Sequence, residues 1–263
     1  MIAPFRLGLT PDFYVEAKGK FEDVLEEHMR GSPHIEYGSM PPLVDKTGTP
    51  EALDQFDAIF ALVLKITPES LQGVERLAVV ARWGVGYDTI DVDALTAHDI
   101  ALAITPQAVK RPVAEAILTF LFALLKNLPE QDRLARGGGW RGGLGHLGRC
   151  IPGHVLGSVG CGNIAREMFR LARPLGFRRL LAADPNVGAQ EVRDLGVEIV
   201  DLDTVMAESD FVAVNTLLNA STRGLIGARE IGLMKASAYL INTARGPVVQ
   251  HEALVNALRE RKI

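Results

Sequence analysis

The chain has 263 residues, 48% of them apolar and 23% charged, which is enough to bury a large core and excludes a disordered polypeptide. That length fits two domains better than one or three. With 28 Lys and Arg against 32 Asp and Glu the formal charge is −4, so the basic excess that a nucleic-acid partner would require is missing.

No apolar run approaches the roughly 20 residues that span a bilayer. The greasiest, Ala116 to Leu125, reads as a buried helix, so no membrane partner is expected. The segment Met1 to Arg6 has no basic region followed by an apolar stretch and no small-residue cleavage site, and nothing in it points to export. The two cysteines, Cys150 and Cys161, make neither a disulfide framework nor a metal-ligand spacing. A cytoplasmic protein without a metal is the expectation.

Short aliphatic runs alternate with helical patterns along the chain, the pattern of parallel sheets with crossover helices, so the fold class is α/β. In the first part the expected strands are Arg6 to Leu9, His34 to Tyr37, Ala58 to Leu64, Leu77 to Arg82 and Ala101 to Ile104. Helices are expected near Glu22 to Met29, Pro68 to Gln72 and Asp91 to His98. Pro106, Lys110-Arg111 and Pro112 then interrupt the pattern ahead of an apolar crossover helix from Val113 to Leu125, which puts a domain boundary near residue 107. The glycine-rich stretch Gly137 to Gly143 reads as a loop whose Trp140 caps the core. Further strands are expected at His154 to Val159, Arg179 to Ala183, Val197 to Val200, Phe211 to Val214 and Tyr239 to Asn242, with a last helix from Glu252 to Arg261. A doubly wound dinucleotide domain has about six strands, so this second sheet is expected to be incomplete at its C-terminal side.

The strand His154 to Val159 runs directly into Gly160-Cys161-Gly162-Asn163-Ile164-Ala165 and then into an amphipathic helix through Met168, Phe169 and Ala172. This is G-x-G-x-x-A in a strand, turn and helix setting. Gly160 allows the turn, Gly162 lets the backbone approach a pyrophosphate, and Ala165 lets helix and strand pack closely. The helix N-terminus offers free N–H donors and partial positive charge to an anion. The glycine pattern alone fits an empty turn equally well; the next strand breaks the tie. It ends at Asp184, 22 residues beyond Gly162, near the roughly 20 expected for the acid that holds the adenosine ribose. A carboxylate there repels a 2′-phosphate, and Pro185, Asn186, Val187 and Gly188 supply no arginine, so NAD is expected rather than NADP.

The strand Tyr239 to Asn242 leads through Thr243 and Ala244 to Arg245 and a Gly246-Pro247 turn. Ligands of open α/β sheets sit beyond the carboxyl ends of the strands. A guanidinium there can fork onto a carboxylate and polarise a carbonyl, or merely satisfy loop carbonyls; the residues alone leave both readings open.

Together these residues resemble the D-isomer-specific 2-hydroxyacid dehydrogenases, the family of D-3-phosphoglycerate, D-lactate, glyoxylate and hydroxypyruvate enzymes. The resemblance runs from about residue 50 to the last residue. It rests on Ala81-Arg82-Trp83-Gly84-Val85-Gly86-Tyr87-Asp88-Thr89-Ile90-Asp91, on Val113-Ala114-Glu115, and on Leu156 to Ile164. Thr222-Arg223-Gly224-Leu225-Ile226 and Leu233-Met234-Lys235 leading to Asn242-Thr243-Ala244-Arg245-Gly246 complete it.

The resemblance implies a flavodoxin-like substrate domain at 1–107 and a Rossmann NAD domain at 108–263, with homodimers formed through the cofactor domain. It implies that Gly84, Val85 and Gly86 receive the substrate carboxylate, with Val85 also beside the nicotinamide. Gly160, Gly162, Asn163 and Ile164 would hold the pyrophosphate, Asp184 the ribose, and Thr216, Thr243, Ala244 and Arg245 other parts of NAD. Arg245 matches the catalytic arginine. The activity implied is hydride transfer between NAD and a D-2-hydroxy acid or 2-keto acid, with Arg245 and the amides of the residue 84–86 loop holding the carboxylate.

Three departures qualify this. Asn215-Thr216-Leu217 replaces the usual His-x-Pro, and Gln250-His251 stands where an acid is usual. The family's remaining acid and its histidine, in a Thr-Pro-His-like segment, fall downstream of Ile263. The chain therefore reads as part of a longer protein or as a truncated product. Of its own histidines, His28, His34, His98, His146 and His154 read as surface or edge residues, and His251 as a helix cap. The rival readings are an NAD-responsive, corepressor-like binding protein without turnover, and an inactive truncated homologue.

Overall fold

A computed structural model describes residues 4–263. Met1, Ile2 and Ala3, the start of the segment read for export signals, lie outside the described residues. The chain divides into two compact units, Met1–Pro106 and Gln107–Ile263.

In the first unit β1 (Phe5–Leu9), β2 (Ile35–Ser39), β3 (Ala58–Ala61), β4 (Val79–Arg82) and β5 (Ala101–Ala103) form one sheet in the order β2-β1-β3-β4-β5. All its pairings are parallel. This is the flavodoxin-like order, with its reversal of direction between β1 and β3. Because side chains alternate along a strand, Ile59 and Val80 pack on one face with Leu53, Leu71 and Leu95. On the other face Phe60 and Trp83 stack with Phe13. β3 is shorter than its apolar run because side chains from the β1 loop capture the next amides. Thr10 Oγ1 accepts from Leu62 N at 3.0 Å, and Asp12 Oδ2 accepts from Val63 N at 2.8 Å.

In the second unit β6 (Val155–Val159), β7 (Arg179–Ala183), β8 (Val197–Ile199), β9 (Phe211–Val214) and β10 (Tyr239–Asn242) order as β10-β9-β6-β7-β8, again all parallel. Every residue of β6 is buried, as a central strand covered on both faces requires. Leu156 joins Leu121, Ala165 and Phe169 in one core, and Val155 and Val159 join Val205, Met206 and Ile231 in the other. The helix Leu202–Glu208 lies directly on the β6 backbone at Gly157. A Cβ there would stand 2.1 Å from Ser209 Oγ and 2.9 Å from a Val205 methyl.

Three expectations need correction, and one helix was not foreseen. Pro106 and Pro112 do not interrupt the chain, because one helix runs Pro106–Leu125 with Pro112 inside it. Pro106 costs nothing at a helix start, where its missing N–H would have no partner. Arg111 also ties this helix to its surroundings, pairing with Glu115 at 2.6 Å and with the buried Glu167 at 3.2 Å. Next, Trp140 does not cap the core: it is 83% exposed. The polar helix Leu128–Arg136 precedes it and was not legible, since it buries no residue and shows no apolar stripe. Finally, His251 is the first residue of the helix His251–Arg259 and not its cap. Gln250 occupies the N-cap position without a capping bond, its amide instead donating to Gly224 O at 2.9 Å.

Because Gly157 admits no Cβ without displacing Ser209 and Val205, Gly157→Ala is expected to lower stability by about 1–3 kcal/mol, read as a lower urea midpoint at unchanged m-value.

Candidate functional site

The glycine turn after β6 is built by fixing carbonyls. Gly160 has φ +95°, and a Cβ on it would stand 2.9 Å from the backbone at Asn215 and Thr216, so only glycine fits. The buried Ser158 hydroxyl donates to Gly160 O at 2.6 Å and accepts from Asn215 Nδ2 at 2.9 Å. Arg166 Nε donates to Cys161 O at 3.0 Å, and Arg166 also pairs with Glu191. The Gly188 amide and Arg166 hold the Glu191 carboxyl below its ordinary range, while burial pushes the Cys161 thiol up and keeps it neutral. Among the described residues the Gly162 amide meets no acceptor, and nothing lies within 4 Å of where its Cβ would be. The helix Asn163–Ala172 starts here, and the amides of Asn163 and Ile164 belong to its first, unpaired turn. Ala165, fully buried, brings that helix against β6.

A crevice of about 630 Å³ opens beyond the carboxyl ends of β6, β7 and β9, lined by Gly160, Gly162, Asp184, Asp201, Thr216 and Asn219 among others. Asp184 Oδ2 accepts from Cys161 N at 2.8 Å and Oδ1 from Asn186 N at 2.9 Å. A carboxylate accepts about four hydrogen bonds, so capacity remains for a diol. Asp201 was missed by sequence reasoning. It caps the helix Leu202–Glu208 through Thr204 N at 2.7 Å, and the Thr204 side chain and amide hold its carboxyl below the ordinary range. Its capping pattern was visible; its place in the crevice depends on β8 lying beside β7. A larger groove of about 1040 Å³ follows the outer edge of β10, lined by Tyr239, Leu240, Val249, Leu254 and Leu258. It lies along a strand edge, away from the glycine turn, and contains none of the residues of that turn.

At the end of β10, Asn242 shapes the turn that carries Thr243, Ala244 and Arg245. Its Oδ1 accepts from Ala244 N at 3.0 Å and its Nδ2 donates to Arg245 O at 2.9 Å. Arg245 is half-buried and donates from Nη1 to Ala244 O at 2.9 Å.

In the first unit, Gly84 is buried with φ +135°, a conformation essentially closed to other residues. Its N–H donates to Thr105 Oγ1 at 2.9 Å and its carbonyl accepts from Thr105 N at 3.0 Å. Gly84 therefore shapes the loop, and the amides of Val85, Gly86 and Tyr87 are the ones that meet no acceptor among the described residues. Arg82 donates to the carbonyls of Gly86, at 3.0 Å, and of Trp83.

Five of the six histidines are exposed and His154 is half-buried against Phe211. Lys65 is exposed beyond β3, its backbone bridged to Thr47. Among the described residues no three His, Cys, Asp or Glu side chains gather as metal ligands, and no helix is long and apolar enough to cross a membrane.

Residues 118–263 match the family model described as D-isomer specific 2-hydroxyacid dehydrogenase, NAD binding domain. The chain is 33% identical over 217 residues to a glyoxylate reductase of Thermococcus litoralis, covering 80% of this chain and 65% of that one. A glyoxylate reductase structure from Paecilomyes thermophila superposes with TM-score 0.83 at 28% identity, covering 99% of this chain and 80% of the other. A D-lactate dehydrogenase of Aquifex aeolicus, solved with NAD and lactic acid, gives TM-score 0.85 at 25% identity over 98% and 74%. The chain belongs to the D-isomer-specific 2-hydroxyacid dehydrogenases, NAD-dependent oxidoreductases that interconvert 2-hydroxy and 2-keto acids by hydride transfer.

Proposed function

We propose that this chain binds NAD at the crevice of its second unit and acts on a small 2-keto acid or D-2-hydroxy acid of the glyoxylate or lactate type. The observation that carries this is the pairing of an open, unpartnered Gly162 amide with Asp184 at the end of the adjoining strand. The space over Gly162 and the spare lone pairs of Asp184 fit a dinucleotide. In this reading Gly162, Asn163 and Ile164 hold the pyrophosphate on the Gly160 turn, and Asp184 accepts from the ribose hydroxyls. Asp201, a second carboxylate in the same crevice, disfavours a 2′-phosphate. Thr216, Thr243 and Ala244 line the rest of the cofactor site in the second unit.

When bound, NADH supplies the hydride. In the first unit the Val85 and Gly86 amides, on the loop that Gly84 shapes, are the donors for a substrate carboxylate. In the second unit Arg245 carries the guanidinium that can fork onto a carboxylate and offset negative charge on a C2 oxygen as a carbonyl is reduced. Residues 1–107 supply the substrate loop and 108–263 the cofactor site. We further infer a homodimer through the second unit. Its support is that several large apolar side chains of this unit, Phe120, Phe122, Leu128, Trp140 and Leu147, are individually exposed, and a partner copy would supply the burial they lack. A cytoplasmic, reducing setting is consistent with the exposed free thiol of Cys150.

Titration with NADH should quench and shift nucleotide fluorescence, and Gly162→Val should weaken that binding at least about 10-fold by filling the space needed for the pyrophosphate. Its urea midpoint should stay near wild type, because the added side chain meets nothing in the fold. Arg245→Gln should lower kcat/KM for glyoxylate by about 10²- to 10³-fold with NADH affinity retained. Light scattering should give twice the chain mass, reverting to one mass in Trp140→Arg. NADH binding without glyoxylate or pyruvate turnover would point to a sensor of the cofactor and not an enzyme.

A further inference from the structure

The loop from Trp83 to Tyr87 has three of its carbonyls held by two residues that no catalytic role accounts for. Thr105, just beyond β5, grips Gly84 at both ends of the residue. Its hydroxyl accepts from Gly84 N at 2.9 Å, and its own N–H donates to Gly84 O at 3.0 Å. Arg82, at the end of β4, donates from Nε to Gly86 O at 3.0 Å and from Nη1 to Trp83 O. Arg82 also fills the space that a Gly84 Cβ would need, since Nη1 would lie 2.5 Å from it. Three of the loop's carbonyls, those of Trp83, Gly84 and Gly86, thus have donors supplied by two residues.

In a trans peptide the C=O and the following N–H point in opposite directions, and no described peptide bond here is cis. Holding Gly84 O toward Thr105 turns the Val85 N–H away from it. Holding Gly86 O toward Arg82 turns the Tyr87 N–H away likewise. Val85, Gly86 and Tyr87 are the three residues whose amides meet no acceptor among the described residues. Three donors left open in one turn form a ready concavity for an anion.

We propose that Thr105 and Arg82 are positioning residues that preset the Val85 and Tyr87 amides, on either side of Gly86, as a carboxylate receptor before substrate arrives. The inference rests on the reading that this loop receives the substrate carboxylate, and extends it by naming what orients the donors. The physical gain is preorganisation: the donors need not turn at the moment of binding, so the energy of each hydrogen bond goes into affinity. Thr105 is specific in this role because it needs both a hydroxyl acceptor and a backbone donor. Arg82 is specific because a guanidinium reaches two carbonyls at a fixed angle and an ammonium presents a single point.

The test uses the full chain, with oxalate as an unreactive carboxylate probe and glyoxylate as substrate in the presence of NADH. The chain has two tryptophans, so Trp140→Phe leaves Trp83, whose carbonyl is part of the loop, as a fluorescent reporter of oxalate binding. Thr105→Val keeps the volume and the backbone donor but removes the hydroxyl. Thr105→Ser restores it. In Thr105→Val and Arg82→Lys the oxalate Kd and glyoxylate KM should each rise about 10-fold or more, as expected for losing a charge-assisted or buried hydrogen bond. In these variants kcat should stay within about 3-fold of wild type and NADH affinity should be unchanged, the signature of lost ground-state binding. Thr105→Ser should bind oxalate within about 3-fold of wild type. Oxalate binding unaltered in both Thr105→Val and Arg82→Lys, or Thr105→Ser no better than Thr105→Val, would overturn the positioning role while leaving the loop's own assignment intact. A wild-type chain that binds NADH but neither oxalate nor glyoxylate would instead remove the assignment of the loop, and this inference with it.

Discussion

A peptide group can offer its N–H to a ligand only if something else has turned its carbonyl the other way, and a loop in each unit of this chain meets that requirement with donors from nearby residues. In the second unit Ser158 Oγ holds Gly160 O and Arg166 Nε holds Cys161 O, and the Gly162 amide on the far side of that last peptide is left open. In the first unit Thr105 and Arg82 do the same for the loop after β4. The cost of holding unsatisfied donors at a site is met by local bonds that cannot relax without breaking elsewhere, which is how a strained or open backbone persists in a folded protein. Each glycine with a positive φ in these loops, Gly84 and Gly160, stands where the chain must reverse so that the next amides face outward.

The sheets make this possible by placing both loops at strand C-termini. In parallel sheets the strands point the same way, so the loops that follow them gather on one edge of each sheet. β6 is central, and its turn emerges between β7, which contributes Asp184, and β9, which contributes Asn215 and Thr216. Contact is tight because Gly157 and Ala165 have little or no side chain: one admits the helix Leu202–Glu208 and the other the helix Asn163–Ala172. Glu167 on that second helix is buried between Arg111 and Arg170, which fixes the helix to the long helix Pro106–Leu125. A buried carboxylate with two guanidinium partners is a poor source of net stability but a strict constraint on register, since moving either helix strands a charge.

Much of this was legible in the sequence because it depends on local pattern. β7, β9 and β10 fall on the residues their aliphatic runs indicate, and the glycine turn was readable because strand, turn and helix follow each other without a break. What was not legible depends on partners distant in sequence. The end of β3 is set by Thr10 and Asp12, 52 and 51 residues away. The helix start at Pro106 was hidden by a second proline that the helix tolerates at Pro112. Trp140 looked like a core residue because tryptophan usually is one, whereas here it is presented to solvent with Leu128 and Leu147.

The departure at Asn215 shows how a changed motif can be accommodated. Its Nδ2 is bonded to Ser158 Oγ, and Ser158 in turn donates to the Gly160 carbonyl, so the residue after β9 is tied through one hydroxyl to the turn that it faces. The Asn215 Oδ1 has no partner, and as an acceptor it can be satisfied by a water or a hydroxyl entering the crevice that Asn215 lines. Asn219 then closes the following loop on itself, its Oδ1 accepting from the amides of Ser221 and Thr222. Gln250 is accommodated in the same manner: where an acid would accept hydrogen bonds only, its amide donates to Gly224 O and packs against Gly227, whose Cβ would stand 2.8 Å from it. Asn215 places its donor on a side-chain hydroxyl that fixes the glycine turn, and Gln250 places its donor on a backbone carbonyl of the neighbouring loop. The loop after β9 is therefore tied down at both ends by amide side chains, Asn215 at its start and Gln250 at Gly224, through hydrogen bonds between neutral groups.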